Sequence, residues 1–186
     1  AGGVPVIAAV PVFRPRGGSS VTPDLAIVAE PLSAFSESIR RVRLGIEAHV
    51  REERYCVFVT SVLPGEGKTT LALALARSFA LNGSSTILVD ADFRRPAVGS
   101  HISDATDSGL ADYLRDPSGT ARAPQVIREG ETGLHLIVGG QGTDQPTDSL
   151  IQSAKFTALL QGLREAYDIV VIDTSPVGLV VDPMLV

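Results

Sequence analysis

The sequence predicts an α/β protein: a parallel sheet with helices on both faces. Three observations predict it. Short apolar runs rich in β-formers recur at 55–60, 86–90, 134–138 and 169–173, each too short for a helix. Between them lie stretches with helical spacing, and a Gly-rich turn at 61–67 joins the first run to the helix after it. Strands alternating with helices fold as right-handed βαβ units, which cover both faces of a parallel sheet.

The elements follow in order. Residues 1–32 read as an extended arm, because prolines and the run RPRGGSS at 14–20 deny it periodicity. Within it VPVIAAVP at 4–11 suits a short edge strand, the one place in a sheet where proline is tolerated. From Ser33, a plausible cap, Phe35, Ile39, Val42, Ile46 and Val50 recur at steps of four and three, marking one helix face. Glu37, Arg40, Arg41 and Arg43 occupy its other faces. The run YCVFVT at 55–60 predicts a buried strand, and residues 68–81 an alanine- and leucine-rich helix closed by Asn82 and Gly83. A second buried strand is expected at 86–90, a short helix at 108–114 and a third strand at 134–138. Residues 139–148 read as a loop, 149–166 as one amphipathic helix and 169–173 as the fourth strand.

Composition narrows the function. A chain of 186 residues with 44% hydrophobic residues can bury a sizeable core, which excludes a wholly disordered protein. Sixteen Lys and Arg against 21 Asp and Glu give a net charge of −5, arguing against sequence-blind nucleic-acid binding, which depends on neutralising phosphates. One cysteine, Cys56, makes no internal disulfide and reads as a small hydrophobe in a strand. His49, His101 and His135 lack metal-ligand spacing and read as ordinary surface or packing residues. The apolar stretch 4–13 holds two prolines and falls far short of the ~20 residues of a spanning helix.

Chemistry concentrates in three places. TSVLPGEGKTT at 60–70 lies between a predicted strand and a predicted helix, the context of a phosphate-binding loop. Pro64, Gly65, Glu66, Gly67, Lys68, Thr69 and Thr70 are its candidate nucleotide-binding residues. Glycines there turn backbone N–H groups toward phosphate oxygens, Lys68 adds a full charge, and the Thr69 hydroxyl can ligate Mg²⁺. A tight turn that merely needs glycines is the plainer alternative. ILVDADFRRP at 87–96 puts Asp90 and Asp92 at the carboxyl end of a parallel strand, where open α/β sheets bind ligands. Beside Mg²⁺ and a triphosphate, that pair can hold metal-bound water and take a proton from an attacking hydroxyl. IVVIDTSP at 169–176 ends a strand in Asp173, the usual further holder of the Mg²⁺ shell in P-loop proteins. On the helix, Glu37, Arg40 and Arg43 are spaced by three; composition alone makes that a solvated, salt-bridged face.

Together TSVLPGEGKTT, ILVDADFRRP and IVVIDTSP resemble the three Walker motifs (A, A′ and B) of the bacterial tyrosine kinases of capsule and exopolysaccharide synthesis. ESIRRVR fits that family's Glu-x-x-Arg-x-x-Arg oligomerisation motif, and VPVIAAVP resembles the stretch after the second membrane helix of its fused chain-length regulators. The resemblance implies a P-loop NTPase-type sheet that continues beyond residue 186, with 1–32 a linker after a membrane region and 33–186 the kinase domain. It implies ATP and Mg²⁺ as cofactors, and phosphotransfer in trans to tyrosine at the cytoplasmic face of the membrane. Lys68 would neutralise the transferring phosphate. Thr69 and Asp173 would hold Mg²⁺, Asp90 would serve as base, and Asp92 would support metal or arginine geometry. Glu37, Arg40 and Arg43 would pack against a neighbour in a ring-like homo-oligomer, reversing the bland reading of that helix. A membrane chain-length regulator region, in the same or a partner chain, is the implied partner. The family's C-terminal tyrosine cluster has no counterpart among Tyr55, Tyr113 and Tyr167. Two alternatives remain: an ATPase switch of the MinD/ParA type, against which Leu63-Pro64 stand where its extra Lys-Gly would be, and a non-catalytic scaffold of polysaccharide machinery.

Overall fold

The apolar runs form a single sheet. A computed structural model describes residues 6–15, 17, 20–102, 108–116, 122–142 and 147–177. Its strands are β1 (Tyr55–Val59), β2 (Thr86–Ala91), β3 (Ile127–Arg128), β4 (His135–Ile137) and β5 (Ile169–Thr174), in the order β1-β5-β2-β4-β3. β1, β5, β2 and β4 run parallel, whereas β3 adds an antiparallel edge on β4 that the sequence pattern did not signal. Two residues are too few to show an alternation.

Among the described residues six α-helices accompany the strands: α1 (Ala26–Ala29), α2 (Ala34–His49), α3 (Lys68–Leu81), α4 (Leu110–Arg115), α5 (Asp148–Ile151) and α6 (Ala154–Ala166). Alternation along the central strands sorts them into two layers. Leu88 and Val171 face α3, with Val42 and Ile46 of α2 behind; Ile87, Val89, Val170 and Ile172 face α4 and α6. Ala72, Ala74 and Ala76 are fully buried, so the backbone of α3 sits close to its neighbours. Ser33 caps α2, its hydroxyl accepting the Ser36 N–H at 3.2 Å, as the sequence predicts. Gly83 closes α3 at φ +95°, a left-handed turn that glycine adopts without strain.

Five expectations are corrected. Residues 6–11 form no strand, positions 4 and 5 lying outside the described residues. Residues 1–32 are not extended throughout: Pro23–Leu25 makes a 3-10 turn that runs into α1. Phe13, Ala26 and Ile27 join a core cluster with Phe35, Ile39 and Ala74, so tertiary burial orders what local propensity leaves irregular. β1 is half-covered rather than buried, because it is the sheet's edge; Phe58 is 60% exposed. The single helix expected over 149–166 is two, since Ser153 breaks it and caps α6 by accepting the Phe156 N–H. The short helix begins at Leu110, two residues late, because Gly109 is extended against a glycine pair; a Cβ there would lie 2.3 Å from the Gly140 nitrogen.

Candidate active site

Parallel strands end side by side, and here that geometry assembles the site. Asp90 of β2 and Asp173 of β5 are register partners, so two carboxylates sit adjacent at the carboxyl edge of the sheet. The loop after β1 ends on the same edge and feeds α3. Gly65 and Gly67 hold φ of +81° and +83°, the left-handed region that lets successive N–H groups converge and that a side chain would strain. Lys68, the first residue of α3, is buried there.

Its ammonium bridges two acids. Lys68 Nζ lies 2.6 Å from Asp173 Oδ1 and 3.2 Å from Asp92 Oδ2. The Thr69 hydroxyl donates to Asp173 Oδ2 at 2.7 Å and accepts from Lys68 Nζ at 3.4 Å, which leaves one oxygen lone pair available to a cation. Asp92 Oδ1 accepts from the Ser175 hydroxyl at 2.9 Å and from the Arg95 N–H at 3.2 Å. Asp90 behaves differently. It is fully buried, and its two oxygens accept the Asp92 and Val98 N–H groups at 3.2 and 3.1 Å, bracing the turn that carries Asp92. Burial, then the neighbouring Asp173 charge, pushes the Asp90 carboxyl up to about 7. Burial also raises Asp173, against the opposing hydrogen bonds from Lys68 and Thr69.

A cavity of about 630 Å³ opens over this arrangement. Of the sequence-predicted residues, Pro64, Gly65, Gly67, Lys68, Thr69, Thr70 and Asp92 line it. Glu66 is not on its wall: the carboxylate turns back to accept the Val62 and Leu63 N–H groups at 2.9 and 3.0 Å, shaping the loop. Asp173 reaches the cavity through Lys68 and Thr69, and Asp90 stands behind the turn. The oligomerisation candidates lie on α2 and none lines the cavity. Arg40 pairs with Glu37 at 2.7 Å on the exposed side, but Arg43 is buried and bound to Glu47 at 2.8 Å. On spacing alone His101 reads as an ordinary residue, yet it lines the cavity with Arg94 and Arg95. The arginines were visible in the second motif; His101 carries no signal, since its partner, Asp24, is 77 positions away.

The donor set suits a nucleotide with Mg²⁺. Among the described residues no group of three or more His, Cys, Asp or Glu forms a metal cage. Mg²⁺ commonly takes one or two protein oxygens and completes its shell with phosphate and water, and Thr69 beside Asp173 fits that pattern. Cys56 does not join the chemistry: burial raises its thiol, disfavouring the nucleophilic thiolate.

Comparison with known proteins places the chain in a family. The pattern of an AAA domain family matches residues 57–185. Tyrosine-protein kinase YwqD of Bacillus subtilis is 34% identical over 175 residues, covering 93% of this chain and 72% of YwqD. Tyrosine-protein kinase CpsD of Streptococcus pneumoniae is 36% identical over 132 residues, 70% of this chain and 56% of CpsD. The kinase domain of Escherichia coli tyrosine kinase ETK superposes with a TM-score of 0.77 at 26% identity, over 94% of this chain and 70% of that one. With residues 57–185 matching that family pattern and YwqD 34% identical over 93% of this chain, the chain belongs to the bacterial tyrosine-protein kinase family.

Proposed function

We propose that the chain is the nucleotide-binding part of an ATP- and Mg²⁺-dependent tyrosine autokinase of capsule or exopolysaccharide synthesis. The observation that carries this reading is Lys68 held between Asp173 and Asp92 at the wall of the glycine-loop cavity. Mg²⁺, when bound with ATP, would offset phosphate charge. Lys68 exchanges its carboxylate partners for the transferring phosphate, placing a positive charge where negative charge develops. The acceptor tyrosine oxygen forms a bond to the γ-phosphorus as the bond to the ADP leaving oxygen breaks, and the tyrosine proton passes to a carboxylate. Asp92 faces the cavity and suits that proton; Asp90, bound on both oxygens by backbone N–H groups, suits positioning of the Asp92 turn. This geometry favours Asp92 over the Asp90 assignment that the family resemblance implies.

The wider setting belongs to the same proposal. Glu37, exposed on α2, and the half-buried Arg40 paired with it are the groups for a neighbouring subunit in a ring, with Arg43 supporting the helix from within. Residues 1–32 would connect the kinase domain, 33–186, to a membrane regulator region at the cytoplasmic face. No helix among the described residues is long and apolar enough to cross a membrane.

The test is incubation of the protein with γ-labelled ATP and Mg²⁺, probing for phosphotyrosine. Label on tyrosine, abolished by Lys68→Met and reduced more by Asp92→Asn than by Asp90→Asn, is the expected result. Phosphate release without phosphotyrosine would favour the ATPase switch, and neither product would favour a scaffold.

A further inference from the structure

The cavity is wider than the phosphate loop accounts for, and its far side is built by residues that the kinase reading leaves idle. Val98–His101 forms a 3-10 turn held at both ends. At its start, the Val98 N–H donates to Asp90. At its end, His101 Nδ1 lies 3.2 Å from Asp24 Oδ2, and the side chain is 27% exposed on the cavity wall. Asp24 itself is only 1% exposed and belongs to the Pro23–Leu25 turn, which packs on α3 and there accepts two bonds from Arg77. A continuous path therefore runs from the site acids to the N-terminal segment: Asp90, Val98, His101, Asp24.

The chemistry of the path points to an anion. Asp24 fixes Nδ1 as a donor, and the hydrogen bond between them raises His101 above its ordinary value against the opposing effect of burial. The remaining ring nitrogen, protonated, is a donor on a wall shared with Lys68, Arg94 and Arg95. We propose that His101 is a further positioning residue for the nucleotide, donating to an anionic group in the cavity, and that Asp24 makes nucleotide occupancy and docking of residues 22–29 on α3 mutually dependent. The inference rests on the nucleotide reading above. Coupling of two sites through one element is reciprocal: whatever tightens the docked segment tightens nucleotide, and nucleotide tightens the segment by the same factor. The N-terminal segment thereby becomes a means of setting nucleotide affinity from outside the cavity.

The experiment pairs Mg-ADP calorimetry with amide hydrogen exchange on the full chain. Wild-type protein should bind Mg-ADP, and binding should slow exchange at 22–29. His101→Gln, at a half-exposed position, should weaken binding roughly three- to tenfold and remove the protection, while His101→Lys, which keeps a cation, should restore most of the affinity. If wild-type protein binds no Mg-ADP, the nucleotide reading fails and takes the coupling with it. If it binds, but His101→Gln binds equally well or exchange at 22–29 is the same with and without nucleotide, the coupling alone is overturned. A loss that His101→Lys leaves unrestored would likewise overturn the role of the cation.

Discussion

Arg77→Met should cost about 3–5 kcal/mol of folding stability, the usual consequence of removing one partner from a buried ion pair. Arg77 is fully buried in α3 between two carboxylates of distant sequence origin. Nη1 donates to the Asp24 carbonyl at 2.8 Å and to Asp24 Oδ2 at 2.9 Å. Nε and Nη2 grip Glu129, the shortest bond being 2.7 Å. Charged hydrogen bonds contribute roughly 1.5–3 kcal/mol each, so a sum over the five contacts would exceed 7 kcal/mol. That sum is too large, because the two acids respond differently once the arginine is gone. Glu129, 16% exposed, can rehydrate and keeps the Thr132 hydroxyl. Asp24, 2% exposed, cannot rehydrate; it retains His101 or takes up a proton, and that protonation caps the cost. Methionine fills most of the vacated volume, so the loss reports charge rather than a cavity. Urea unfolding followed by circular dichroism at pH 7 measures it, and the matching fall in melting temperature is on the order of 10 °C. Asp24→Asn combined with Arg77→Met should be clearly less than additive. A loss below about 1 kcal/mol, or strict additivity, would refute the claim that this ion network fastens the N-terminal turn to α3.

Two further outcomes follow. Arg43→Ala should destabilise the subunit by roughly 1–2 kcal/mol, through its buried stem and the Glu47 pair, whereas Arg40→Ala should change stability by under about 0.5 kcal/mol and act on oligomer size instead; urea unfolding and sedimentation separate the two, and equal stability effects would contradict the geometry. The stabilisation that His101→Gln removes should depend on pH. The native pKa of His101 is raised above the ordinary 6.5 by Asp24, with Arg77 opposing from α3 and Arg94 and Arg95 sharing the cavity wall. Its contribution is therefore complete below pH 6.5 and lost as pH rises through the native value. At most about 1 kcal/mol is expected, because the imidazole is partly open to solvent and screened although Asp24 is buried. A difference between variant and wild type that grows from pH 6 to pH 9 would reverse the sign and defeat the assignment.

Local signals survive folding where an element forms from its own residues. The spacing in α2, its Ser33 cap, the whole of α3 with its glycine stop, and the apolar runs of β2 and β5 were all legible, because helix periodicity, caps and β-branched runs act within a few residues. The phosphate loop was legible for the same reason: its glycines, Lys68 and Thr69 are contiguous. The break at Ser153 was carried by a capping residue too, but the apolar spacing on either side outweighed it in a single-helix reading.

The sequence by itself thus determined the fold class, the loop chemistry and the acids at the strand ends, since each is written in neighbouring positions. Tertiary structure alone decided which acid is buried and which faces Lys68. Asp90 and Asp92 are two residues apart and indistinguishable as letters; register with β5 and the turn to Val98 bury one and turn the other toward Lys68. It alone placed β1 at the edge and exposed Phe58, because edge or centre depends on strand order rather than composition. And it brought Asp24, Arg77, His101 and Glu129 together from positions up to 105 residues apart. Such pairings carry no periodicity to read; they exist only once the chain has closed on itself and the desolvated charges have found one another.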